Sequence, residues 1–208
     1  MAAQSRTLPE RIVQSKVILV EGPDDLRFLG ALLRHLDLMA DFQLIKAEGK
    51  DNLSKMLRIL PLVSGFSQVK TLAIILDADS DPRAAFQSLC NSLRAARLSV
   101  PHQMGKIVDG NPAVGVFIWP DCNAAGMLET LCLTAVSAEP VMDCVDKYVD
   151  CAQKTQGTLP QPVDKVRLYA FLASCNRPGL RLGEAAEAGY FPWNSPVFDP
   201  LKQFLRAL

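Results

Sequence analysis

The stretch LDADSDP, residues 76–82, sets Asp77, Asp79 and Asp81 at alternate positions directly after the apolar run TLAIIL. Carboxylates this close repel, by about 4 kcal/mol per pair at ~4 Å in a medium of effective dielectric ~20. A hard cation among them would remove that cost. A second stretch, VEGPDD, ends the apolar run KVILV with Glu21, turns at Gly22, and opens a helix at Pro23. Asp24 and Asp25 then fall in the first helical turn, where the macrodipole favours an anion. A carboxylate that closes a fully apolar strand has few structural uses, so Glu21 joins Asp77 and Asp79 as a candidate for an oxygen-only site. Such donor sets suit Mg2+ or Mn2+. The two histidines, His35 and His102, offer no zinc-like pair.

Some of these acids have plainer readings. A calcium loop would need glycine at its sixth position and glutamate at its twelfth, where this chain has Pro82 and Ser88. Asp81 reads as the N-cap of a helix starting at Pro82, and Asp24 as a first-turn residue. Neither reading accounts for Asp77 or Glu21.

The elements that would carry these acids follow from hydrophobic pattern. KVILVEG is a strand leading into the helical spacing of DDLRFLGALLRHL; FQLIKAEG is a second strand, and NLSKMLRILPLV a helix stopped by Pro61. KTLAIILDAD is the most apolar strand and the expected sheet centre, followed by the helix PRAAFQSLCNSLRAAR. AVGVFIWP, 113–120, is a fourth strand ending at Asp121, and GMLETLCLTAVS another helix. Strands that are apolar throughout, alternating with helices, indicate an α/β fold with a mostly parallel sheet covered on both faces. Ligands in such folds bind beyond the carboxyl ends of the strands. From about residue 140 the pattern is purely helical. The chain is therefore divided into an α/β core, 1–138, and a helical C-terminal extension, 139–208, packed on that core.

Composition excludes several classes. With 208 residues, 49% of them hydrophobic and 21% charged, the chain can bury a full core. The segment MAAQSRTLPER lacks a secretory h-region, and no apolar stretch is long enough to span a bilayer, so a soluble cytoplasmic protein is expected. Six scattered cysteines without C-x-x-C spacing read as small buried hydrophobes. Basic and acidic residues balance at 22 each, unlike a typical nucleic-acid binder. If five carboxylates hold metal ions, however, about five excess positive charges remain for the rest of the surface.

At Glu21-Gly22 and Asp77-x-Asp79 the sequence resembles a Toprim domain, a Rossmann-like fold whose signature is a strand-end E-G turn followed by a strand-end D-x-D. The resemblance covers roughly residues 14–137 and is nearest to the OLD-nuclease type and related uncharacterised bacterial families. It implies an acid four positions after the first glutamate, which is Asp25. It implies another in the helix after the following strand, which is Glu129 in WPDCNAAGMLETL, and a lysine from the helical C-terminal part, matched by Lys165. Glu129 reads equally as an exposed position on an amphipathic helix, and Lys165 as a solvated one. Cys122 stands where asparagine is expected, a departure that touches the role of that loop.

Toprim domains bind divalent metal and serve nucleases, topoisomerases and primases. The last two need large added domains, and a topoisomerase needs a nucleophilic tyrosine. Tyr148, Tyr169 and Tyr190 lie in no such setting. The resemblance thus implies a Mg2+- or Mn2+-dependent nuclease, of a kind used in phage defence or DNA repair. Glu21, Asp25, Asp77, Asp79 and Glu129 would be metal ligands, and Glu21, Asp77 and Lys165 catalytic residues. In a two-metal scheme with ions about 3.5–4 Å apart, four or five carboxylates are required. The alternatives are a D-x-D phosphatase or phosphotransferase, a nucleotide-sugar transferase, and a non-catalytic subunit docked on a partner. OLD-type nucleases pair Toprim with an ATPase, and this chain has no G-x-x-x-x-G-K-[ST] loop, so an ATPase would come in trans. For nucleic acid, the candidate contacts are Lys46, Lys50, Lys55, Arg58, Arg94 and Arg97. FPWNSPVF, 191–198, would either stack on bases or pack the C-terminal helix.

Overall fold

The computed structural model describes residues 9–208. The leading MAAQSRTL, and with it the start of the 1–138 core and most of the segment read for a secretory signal, lies outside the described residues. Five strands, β1 (Lys16–Val20), β2 (Phe42–Lys46), β3 (Thr71–Asp77), β4 (Ile107–Val108) and β5 (Ala113–Trp119), form one sheet in the order β2-β1-β3-β5-β4. The first three and β5 run parallel, and β4 pairs antiparallel on the far edge. The fold is therefore α/β with a mostly parallel sheet. The most apolar strand, β3, is its centre.

Parallel neighbours need crossovers, and helices supply them: α1 (Pro23–His35), α2 (Lys50–Ile59) and α3 (Pro82–Ala95). After β5 come α4 (Leu128–Ala135) and then α5 (Met142–Gln156), α6 (Val163–Ala173), α7 (Leu182–Glu187) and α8 (Asp199–Ala207). Because strand side chains alternate in direction, every central strand feeds two cores. Ile18, Val20, Ala73, Ile75, Phe117 and Trp119 pack with α1 and α4–α8. Val17, Leu19, Leu72, Ile74, Val116 and Ile118 pack with α2 and α3 on the opposite face. Each buried aliphatic contributes about 1.5–3 kcal/mol, so the continuous apolar runs are what fix the strands between two helical layers.

Three details depart from the sequence reading. The edge strand β4 was not expected, because two residues between Gly105 and Gly110 carry no periodicity. Helix α7 lies inside the Gly/Pro-rich stretch and holds only six residues. It packs on α1 so closely that a Cβ on Gly183 would meet Arg27 Cβ at 2.6 Å. Cys144 and Cys151 are exposed on α5 rather than buried, and all six cysteines are free thiols. In FPWNSPVF, Phe191 and Phe198 are buried, and Trp193 packs against Phe28 and Phe198, each at 5.2 Å between ring centroids. Of the two uses expected for this stretch, those aromatics serve packing of the C-terminal helices. Among the described residues no helix is long and apolar enough to cross a membrane.

Candidate metal centre

Parallel pairing of β1 with β3, Val20 opposite Ile75, brings Glu21 to the level where β3 ends in Asp77. Glu21 Oε1 accepts a hydrogen bond from the Asp77 backbone N–H at 3.3 Å. One turn into α1, Asp25 folds back beneath Gly22 and takes its N–H at 3.1 Å, half of a capping box. Its other oxygen accepts from Trp119 Nε1 at 3.0 Å. Trp119 closes β5 and is fully buried, so the indole holds this carboxyl from beneath the sheet end. Asp77 Oδ1 accepts from the Leu128 N–H at 3.0 Å, which fixes it against the start of α4.

A cleft of about 430 Å³ opens over these groups, lined by Glu21, Asp25, Asp77, Glu129 and Lys165 together with Lys46 and Glu48. Glu129 comes from the first turn of α4, and its carboxylate lies 3.6 Å from the Lys165 ammonium on α6. A second bond ties those helices. Thr130 Oγ1 donates to Asp164, so adjacent residues on α4 and α6 clasp twice.

Burial and crowding set the protonation of these acids. Glu21, Asp25 and Asp77 are each pushed up to about 7, in every case mainly by burial. For Glu21 the Asp77 charge adds to the rise, while Lys50 opposes it. For Asp25 the Trp119 hydrogen bond works against burial, and Glu21 works with it. For Asp77, Asp25 and Glu129 raise it further, and the Leu128 N–H lowers it. Oxygen-only donors on three elements, destabilised as anions by burial and by one another, fit a hard divalent cation. Among the described residues, no three acidic, imidazole or thiol groups form a ready-made ion cage.

The structure gathers Glu21, Asp25, Asp77, Glu129 and Lys165 around the cleft and leaves Asp79 outside its lining. Asp79 adopts φ 51°, bridges Gly126 through backbone hydrogen bonds, and forms an ion pair with Lys50. Asp81 caps α3, accepting from the N–H groups of Arg83 and Ala84 at 2.8 and 3.1 Å. Asp121 closes a local turn onto Asn123 and Ala124. Asp24 accepts from the Gly183 N–H at 3.0 Å and so anchors α7. Lys55, Arg58 and Arg94 are exposed helix residues, and Arg97 is exposed in the turn after α3 at φ 58°. Sequence reasoning assigned no site role to Trp119, and treated Lys50 only as a nucleic-acid contact. No sequence signal marked that role for Lys50, because its reach to the acidic strand ends depends on β2 lying beside β1.

A family model described as "Protein of unknown function (DUF3226)" matches residues 15–208. No curated protein matches the sequence. Among solved structures, hypothetical protein PH0156 from Pyrococcus horikoshii OT3 superposes with a TM-score of 0.62 at 18% identity, covering 94% of this chain and 95% of that one. The C-terminal region of the Xanthomonas campestris pv. campestris OLD protein matches with a TM-score of 0.48 at 15% identity, covering 93% of this chain and 95% of that one.

Proposed function

The chain belongs to the DUF3226 family, and from the acids that its own strand ends gather we propose that it is a Mg2+- or Mn2+-dependent phosphodiester hydrolase of the nuclease type. One observation carries the reading. One cleft gathers the buried Asp25 with the partly buried Glu21, Asp77 and Glu129, and desolvation with mutual repulsion pushes Glu21, Asp25 and Asp77 each up to about 7. Such a group of carboxylates is a poor structural element and a good cation host. The Toprim-like order of Glu21-Gly22 and Asp77-x-Asp79 supports the same conclusion.

On this reading Glu21, Asp25, Asp77 and Glu129 hold the cation, which when bound supplies charge neutralisation and activates water. Trp119 and the Leu128 N–H keep Asp25 and Asp77 in fixed orientations, so the site is held before ligand arrives. Lys165, half-exposed beside Glu129, reaches over the cleft to stabilise negative charge developing on phosphate. The substrate is nucleic acid, and the OLD-like motif order also admits an ATPase supplied by another polypeptide, working with a cytoplasmic protein.

The test is cleavage of DNA and RNA with Mg2+ or Mn2+, against EDTA and Asp77→Ala, with a phosphomonoester in parallel. Metal-dependent cleavage that falls roughly 100-fold or more in Asp77→Ala is expected, the scale of losing one electrostatic stabiliser. Cleavage that survives EDTA, or that Asp77→Ala leaves intact, contradicts the proposal. Turnover of the phosphomonoester alone would favour the phosphatase reading.

A further inference from the structure

Lys50 is placed where local structure opposes it. It is the first residue of α2, preceded by Gly49 at φ 105°, and a cation there faces the positive end of the helix macrodipole. What holds it is acidic. Its ammonium pairs with the Asp79 carboxylate, donates to the Asp77 carbonyl oxygen at 3.2 Å, and lies 4.0 Å from Glu21 Oε1. These three acceptors come from β3, from the loop after it, and from the end of β1. The ammonium therefore fills the gap through which Asp79 and Glu21 would share an ion.

We propose that Lys50 is the internal counter-ion of this site, a positioning residue that withholds Asp79 from the cleft and competes with divalent cation for Glu21 and Asp79. The inference rests on the metal-dependent reading above and adds to it an order of events. While Lys50 is in place, Asp25, Asp77 and Glu129 would be the carboxylates open to a cation. Only when Lys50 swings away do Glu21 and Asp79 become available to it. The side chain can make that move: it is 39% exposed and its stem is four flexible carbons. A compact ammonium and a divalent ion cannot share one pair of carboxylates, because each displaces the other by direct repulsion.

Calorimetric titration of Mn2+ into the EDTA-treated, dialysed 208-residue chain tests this, comparing wild type with Lys50→Met, Lys50→Arg and Lys55→Met. Lys50→Met is expected to bind Mn2+ at least tenfold more tightly. Lys50→Arg, which keeps the charge, and Lys55→Met, an exposed lysine on the same helix, should stay within threefold of wild type. If Lys50→Met is poorly folded, Lys50→Gln, which keeps hydrogen-bonding capacity without charge, is expected to tighten binding in the same direction. Equal or weaker binding by the neutral variants, with wild type still binding Mn2+, overturns the counter-ion role alone. No binding by any of the proteins overturns the metal-dependent reading itself, and this inference with it.

Discussion

VEGPDD and LDADSDP use the same local grammar, an acid at a strand end followed by a helix that opens on proline, yet they dispose of their acids differently. In the first, α1 starts two residues after Glu21, so Asp25 rotates back beneath the strand end and is buried beside it. In the second, α3 starts five residues after Asp77, and the intervening Asp79 stays in a loop, while Asp81 is spent on the cap. The spacing between strand end and helix start thus decides which carboxylates reach the cleft. Counting acids alone does not.

That contrast can be broken by mutation. The largest effect is expected for Asp77→Ala, which removes the strand-end acid of LDADSDP and should abolish cleavage and cation binding together, read by activity and by calorimetry. Next is Asp25→Ala, which leaves the buried Trp119 N–H and the Gly22 N–H without acceptors. Urea unfolding below pH 6, where the neighbouring carboxyls are largely protonated, should show a loss of about 1–3 kcal/mol. Smallest is Asp81→Ala, which removes an N-cap and should cost about 1 kcal/mol of stability while leaving cation affinity unchanged. If Asp81→Ala weakened cation binding as much as Asp77→Ala, the rule that the spacing to the helix start decides which acids reach the cleft would collapse.

The pH dependence sharpens the same comparison. Glu21, Asp25 and Asp77 titrate near 7 in the folded chain, against ordinary values of 4.5 for the glutamate and 3.8 for the aspartates. Between about pH 4 and 7 the folded state therefore holds protons that the unfolded state has lost. Stability contributed by these groups falls as pH rises through that window and is level above it. In EDTA the melting temperature should be higher at pH 5 than at pH 8, and cation affinity should rise over the same interval as protons cease to compete. A melting temperature that climbs from pH 5 to pH 8 in EDTA would show that these acids are not strained.

The architecture was legible because its signals are local. The β-branched runs of β1, β3 and β5 and the prolines at 23 and 82 each mark an element without help from the rest of the chain. Elements too short for a period, β4 and α7, were not legible. The acids at strand ends could be read from sequence, but their partners could not. The Trp119 indole reaches Asp25 only because β5 lies beyond β3, and Lys50 reaches Asp79 only because β2 lies beside β1. Strand order is a long-range property, and no residue spacing encodes it directly. The exposed Cys144 and Cys151 teach the same lesson for burial, since residue type alone gave the wrong side of the helix.

The most direct test of the central claim is a thermal melt of EDTA-treated protein during titration with Mg2+ or Mn2+, for wild type, Asp77→Ala and Asp81→Ala. The account predicts a rise of several degrees in wild type and Asp81→Ala, and none in Asp77→Ala. Melting curves unmoved by millimolar metal in the wild-type protein would contradict it.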